Sequence, residues 1–267
     1  MALIKMTFLS KALMRTVEVQ VILPIDKVGT VGSNGNSGDF KTLYLLHGVL
    51  GSSMDWISGT CIQRWAEARG LAVVMPSGEN SFYFDHALPN SAYGTFIGQE
   101  LPGMMKKTFP LSDRREDTFI GGLSMGGYGA LHNGLRYSDT FSHIVALSSA
   151  VHMFKEAGDG FLRELACFGD RKTAEKTDLN PKIAFENAKG RGCLPGIYMA
   201  CGTEDGLLAA NRELKEFFEE QGANLTYVET AGGHDWDFWN SQILEALKWL
   251  PLDEESAGLN SGHVTGV

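Results

Sequence analysis

The chain has 267 residues, of which 43% are hydrophobic and 21% charged, with a formal net charge of −9. That length and apolar content suit one sizeable globular α/β core. The acidic balance argues against nucleic acid or an anionic membrane as partner, the four cysteines show no CxxC spacing for zinc or redox work, and no window approaches the roughly 18 apolar residues of a membrane span.

The N-terminal MALIKMTFLSKALMRTVEVQ breaks its apolar runs with Lys5, Lys11 and Arg15. It therefore lacks the apolar stretch of a signal peptide, and a cytoplasmic location is expected. TVEVQVILP (16–24) alternates apolar and polar residues, as a strand does, and ALIKMTFLS (2–10) is its expected hairpin partner. Gly29, Gly32, Gly35 and Gly38 then punctuate a stretch read as a flexible loop. TLYLLHG (42–48) is a continuous apolar run that ends in glycine, as a buried parallel strand would. WISGTCIQRWAEARG (56–70) reads as a helix closed by Gly70, and LAVVMP (71–76) as a strand stopped by Pro76. YGTFIGQELPGMMKKTF (93–109) reads as mostly helical despite Pro102 and Gly103.

Further along, strands are expected at 117–122, 141–149, 195–202 and 223–230, and helices at 125–137, 207–222 and 237–250. The alternation implies a mostly parallel sheet covered on both faces, in one domain over 1–252. Residues 150–194 break the rhythm and are expected to form an insertion over one end of the sheet. The polar tail 253–267 is expected to be disordered.

GGLSMGGYGAL (121–131) stands at a predicted strand-to-helix junction. Within it, Gly122-Leu123-Ser124-Met125-Gly126 fits G-x-S-x-G, the nucleophile elbow. The reason is steric. A serine on so sharp a turn needs neighbours without side chains, so that strand and helix can approach. The turn lifts the hydroxyl clear of the sheet and leaves the Met125 amide at a helix N-terminus, facing a developing oxyanion.

A serine hydroxyl needs a base. His132 falls in the helix after the elbow, His143 inside a strand, His152 at the head of the insertion and His263 in the tail. His234, on a glycine loop after the last strand, is placed to reach over the sheet. The acid is expected from a loop between the two. FSHIVALSS ends in Ser148 and Ser149 and offers no carboxylate, whereas TEDGLL offers Glu204 and Asp205. Asp205 is chosen because Gly206 suits a turn that points it inward, with Glu204 as the fallback. The second oxyanion donor is expected from HGVLGSS after the first parallel strand: the Val49 amide, with Gly48 letting the backbone approach and His47 bracing the loop. HDWD (234–237) and the pair Asp85 and His86 lack a third ligand at useful spacing, so no metal is expected.

YLLHGVLGSSMDW, FIGGLSMGGYGAL, CGTEDGLL and AGGHDWDFW together resemble the esterase D-like group of α/β hydrolases, from about residue 4 to 250. That group spans S-formylglutathione hydrolases, bacterial tributyrin and acetyl esterases, feruloyl esterases and mycolyltransferases, and the chain looks closest to the tributyrin-type esterases. The resemblance implies the α/β-hydrolase fold, no cofactor, and a Ser124, Asp205 and His234 triad with the Val49 and Met125 amides as oxyanion hole. Tyr128 departs from the SMGGHG of the formylglutathione enzymes, which puts glutathione thioesters second.

ENSFYFDHA (79–87) follows a strand end. Phe82 and Tyr83, with Trp56 and Trp236, are read as either pocket walls or loop packing. The expected activity is hydrolysis of short-chain acyl or small aromatic-acid esters through an acyl-enzyme. Acyl transfer on the same scaffold is a rival, and a binding protein without turnover a more distant one. The expected partner is a small-molecule ester, with a homo-oligomer left open.

Overall fold

The computed structural model describes residues 1–25, 39–154 and 171–252. Among the described residues eight strands form one sheet. β1 (Ala2–Ser10) and β2 (Arg15–Leu23) make the antiparallel hairpin, in register from Ala2 opposite Leu23 to Ser10 opposite Arg15. The Glu100 carboxylate closes the hairpin turn by accepting from the Ser10 hydroxyl and from the Lys11 and Ala12 amides. β2 then pairs antiparallel with β4 (Ala72–Pro76). From β4 onward all pairings are parallel, through β3 (Thr42–Leu46), β5 (Thr118–Leu123), β6 (His143–Leu147), β7 (Gly196–Gly202) and β8 (Leu225–Thr230).

β3, β4, β5 and β7 are buried along their whole length. That is why they read as unbroken apolar runs. Their side chains alternate between two cores, because successive residues of a strand face opposite ways. Leu43 and Leu45 pack with Trp56, Ile62 and Ile243 on one face. Tyr44 and Leu46 pack with Phe96, Tyr128 and Phe218 on the other.

The chain departs from the expected elements in a few places. The single helix expected at 56–70 is two, Asp55–Gly59 and Ile62–Ala68. The Thr60 hydroxyl accepts from the Ile62 amide and competes with helix continuation at the join. The helix expected over 93–109 contains a widened π turn, Phe96–Glu100, before Leu101–Thr108. Pro102, which has no N–H to give a carbonyl four residues back, lies two residues past the end of that turn.

The segment 150–194 holds a helix, Pro181–Gly190, that the periodicity did not announce. Its signal was the cap: the Asn180 side chain accepts from the Lys182 amide and Pro181 opens the first turn. Phe185 of this helix packs 5.1 Å from Phe218, so this part of the segment joins the main core. The expected loop at 29–38, the tail 253–267, His263, Cys167 and the middle of the insertion lie outside the described residues. Cys61, Cys193 and Cys201 are free thiols. Among the described residues no helix is long and apolar enough to cross a membrane.

The strand order turns back between β3 and β5. A crevice opens at the carboxyl ends of parallel strands at such a reversal. Leu46 pairs with Gly122 at the top of these two strands, so the loops after them emerge side by side.

Candidate active site

β5 ends at Leu123 and the helix Met125–Arg136 begins two residues later. Ser124 between them has φ 53° and ψ −115°, a conformation costing a residue with a side chain about 1–3 kcal/mol. Neighbours hold it there. Its amide donates to the Leu147 carbonyl at 2.9 Å, and its carbonyl accepts from the Tyr128 and Ala150 amides at 3.0 Å each. A Cβ on Gly122 would lie 2.3 Å from the Gly126 carbonyl oxygen, and one on Gly126 would lie 2.3 Å from that of Leu46.

Both clashes are with backbone, which cannot rotate away. Gly126→Ala is therefore expected to cost about 1–3 kcal/mol and to lower Tm by roughly 2–12 °C, with kcat falling as the elbow is displaced. Thermal melts with parallel ester assays check this; an unchanged Tm with full activity would show that the elbow tolerates the side chain.

The loops after β7 and β8 are fastened together above the sheet. Thr203 donates to the Thr230 carbonyl at 2.9 Å and Glu204 to that of Gly232 at 3.0 Å. This places Asp205 beneath His234. His234 Nδ1 lies 2.9 Å from Asp205 Oδ2, and His234 Nε2 lies 3.0 Å from Ser124 Oγ. The Asp205 side chain is fully enclosed while that of His234 is 37% exposed.

Burial pushes the Asp205 pKa up. Hydrogen bonds from His234, from the Leu207 amide and from the Ser148 side chain outweigh it and hold the carboxyl below its ordinary value. Asp205 is thus a carboxylate whenever the imidazole needs a partner. Glu204, by contrast, faces solvent.

The loop after β3 meets the elbow from the other side. A Cβ on Gly48 would lie 2.8 Å from a Leu123 methyl carbon and 3.6 Å from Ser124 Cβ, so this glycine lets the loop lie against the serine. Val49 follows, half-buried. Met125 is the first residue of its helix, and a first-turn amide has no carbonyl four residues back to receive it.

His47 fixes the path of the loop. Its Nδ1 donates to the Gly48 carbonyl at 2.7 Å, and its Nε2 accepts from the Gly78 amide at 2.9 Å. Burial lowers the His47 pKa, which keeps the imidazole neutral and able to play both parts. Tyr83 adds a bond to the His47 carbonyl at 3.0 Å, and Asn80 Oδ1 accepts from the Leu50 amide at 2.7 Å.

A family model described as "Putative esterase" matches residues 10–250. An acetyl esterase of Caldicellulosiruptor saccharolyticus is 41% identical over 263 residues, covering 94% of this chain and 98% of that protein. The chain belongs to the esterase family. Two solved structures from Staphylococcus aureus share its fold at 28% identity, each covering 93% of this chain and 98% of theirs. One is a fluorophosphonate-binding serine hydrolase at TM-score 0.82. The other is an S-formylglutathione hydrolase at TM-score 0.80. The chain is accordingly a carboxylic ester hydrolase of α/β-hydrolase fold.

The aromatic residues of this esterase sit differently from a pocket wall. Phe82 and Tyr83 are wholly buried, with φ 51° and 58° that turn both rings under the loop. Phe82 meets Tyr128 edge to face, and Tyr83 fills the space left by Gly78 and Gly129. Trp56 is also buried, with its indole N–H on the Leu46 carbonyl at 3.0 Å. These three residues pack the loops and offer no surface to a ligand. Trp236 is partly exposed and meets Trp56 edge to face, over Gly59.

Tyr128, the departure at the elbow, donates its hydroxyl to the Leu179 carbonyl at 2.7 Å and so ties the elbow helix to the segment 171–194. His132 does the same through the Asp178 carbonyl, and His143 pairs with Ser142. His152 lies on the short turn Val151–Phe154. Asp235, part of the HDWD run, caps its helix by accepting from the Phe238 amide at 3.0 Å. His86, beside Asp85, stacks on Phe84.

Proposed function

We propose that this esterase is a serine carboxylesterase for short-chain acyl and small aromatic-acid esters, acting in the cytoplasm with Ser124, His234 and Asp205 as its triad. The observation that carries the reading is the relay from Ser124 Oγ through His234 to an enclosed carboxylate, on a strained elbow. Ser124 attacks the ester carbonyl carbon as its proton passes to His234 Nε2. The carbonyl oxygen becomes an oxyanion between the Val49 and Met125 amides. His234 returns the proton to the leaving alcohol and an acyl-serine remains. Water then adds to this acyl group, giving its proton to His234, and the acid leaves as Ser124 recovers its hydrogen. The carboxylate of Asp205 holds the imidazole in the Nδ1–H tautomer and balances its charge without taking the proton.

Support for small acyl groups comes from the acetyl esterase, whose likeness runs through nearly the whole chain. A p-nitrophenyl ester series from acetate to decanoate, beside methyl ferulate and S-formylglutathione, tests it. We expect kcat/KM to peak from acetyl to butyryl and to fall about tenfold or more by octanoyl, as overfilling a pocket costs about 1–3 kcal/mol. A decanoyl preference would replace this reading with a long acyl groove.

A second reading, S-formylglutathione hydrolysis, is supported by the solved hydrolase of that name. Tyr128 does not weigh against it, since that ring serves the helix packing. Turnover of S-formylglutathione far above the acetyl ester would select it.

A further inference from the structure

Behind the relay lies a second layer that the reaction steps above do not use. Ser148, the first residue after β6, is fully buried and has φ 46°, in the left-handed region that residues with side chains rarely enter. Its surroundings leave it little choice. Its amide donates to the Ala200 carbonyl at 2.8 Å. The next residue, Ser149, is held through both its amide and its carbonyl by the Asn211 side chain, at 3.2 and 2.9 Å. The turn brings the Ser148 side chain beside Asp205, whose carboxyl it helps to hold below its ordinary value.

The same hydroxyl oxygen accepts from the indole N–H of Trp239 at 3.1 Å. The indole N–H takes up one acceptor site of the hydroxyl oxygen and leaves its proton to be given to a neighbour, with the Asp205 carboxylate and the Cys201 thiol both beside it. The Trp239 ring also meets the His234 imidazole edge to face, with centroids 4.9 Å apart at 87°. Trp236 braces Trp239 at 5.2 Å, and Trp56 braces Trp236 at 5.7 Å. Edge-to-face pairs of this kind hold ring orientation as well as burying area.

We propose that Trp239 and Ser148 are a positioning pair for the proton relay: the indole N–H orients the Ser148 hydroxyl, that hydroxyl donates to Asp205, and the indole ring sets the plane of His234. The inference rests on the reading of Ser124, His234 and Asp205 as the triad. Among the described residues two titratable side chains face Asp205, His234 from the loop after β8 and the Cys201 thiol from β7. Burial first, and Asp205 second, push that thiol up to about 12, so it stays protonated at neutral pH.

Removing the Ser148 hydroxyl takes one donor from the carboxylate. The bare carboxylate then favours the imidazolium more strongly, so the acid limb of kcat/KM moves to higher pH. Loss of a hydrogen bond to a charged group that must hold through the transition state lowers kcat about tenfold or more.

The test uses Trp239→Phe, which keeps a ring but loses the N–H, and Ser148→Gly, which suits the positive φ but loses the hydroxyl. Ser124→Ala serves as reference. Expected are about a tenfold lower kcat in each variant with KM within about twofold, an acid limb moved upward, and a double variant no slower than Ser148→Gly alone, because both changes act through one hydroxyl. Should Trp239→Phe fail to fold, Ser148→Gly carries the same readouts. An acid limb left in place, or losses that simply multiply, would overturn the proposal, as those are the marks of packing alone. Full activity in both variants with a dead Ser124→Ala would overturn it and leave the triad standing. Full activity in all three would remove the triad reading itself.

Discussion

Ser124→Ala is expected to keep the fold and to lower kcat by about 10⁴- to 10⁶-fold. The fold should survive because only a hydroxyl is lost. The elbow itself is held by backbone bonds from Ser124 to Leu147, Tyr128 and Ala150. The loss should be large because members of such a relay act as a unit: without the nucleophile, neither base nor acid has a task. The residual rate would be what binding and the oxyanion amides give water. The check is single-turnover kinetics on p-nitrophenyl acetate beside a fluorophosphonate label, which should attach one phosphonyl group to Ser124 of the wild type and none to the variant. Wild-type-like turnover of the alanine variant, or a label on another residue, would move the nucleophile elsewhere.

Asp205→Asn is expected to cost about 10⁴-fold in kcat. An amide at this enclosed position can present N–H to His234 Nδ1, which favours the tautomer that carries its proton on Nε2 and cannot accept from Ser124. Glu204→Gln, on the exposed neighbour, should stay within about twofold. The pH dependence of stability follows from the same carboxyl. Its pKa is lower folded than unfolded, so the stability it contributes is complete above the ordinary carboxylate value of about 3.9 and fades as pH falls through the lowered value. Acid unfolding of Asp205→Asn should lose that component. Steady-state kinetics of the two variants decide the assignment, and a silent Asp205→Asn with a crippled Glu204→Gln would reverse it.

Much of the site was legible because its requirements are local. Gly122 and Gly126 are demanded by the distance between β5 and its helix, and that demand is written within five residues. The order of strands and helices places successive loops at one end of a parallel sheet, so Ser124, Asp205 and His234 could be gathered from their positions after strands. The helix at 181–190 was harder to see. Its apolar residues are few and its cap, Asn180 with Pro181, carries most of the signal.

Other features needed packing to resolve them. Asp205 rather than Glu204 meets His234, yet Gly206 has no positive φ among the described residues. The direction comes from the Glu204 amide on the Gly232 carbonyl, where a side chain on Gly202 would lie 2.1 Å from that same oxygen. Phe82 and Tyr83 looked equally able to line a pocket or to pack a loop. Gly78 and Gly129, at neighbouring and distant positions, left the space that drew Tyr83 inward.

By itself, then, the sequence determined the alternation of strands and helices, the elbow and the residue types of the relay, because period and backbone sterics are properties of adjacent residues. Only the tertiary structure decided which carboxylate reaches the imidazole, which aromatic rings turn under their loops, and that Trp239 meets Ser148 across 91 residues of chain. Those outcomes depend on which side chains compete for one enclosed volume, and elements far apart in the chain define that volume together.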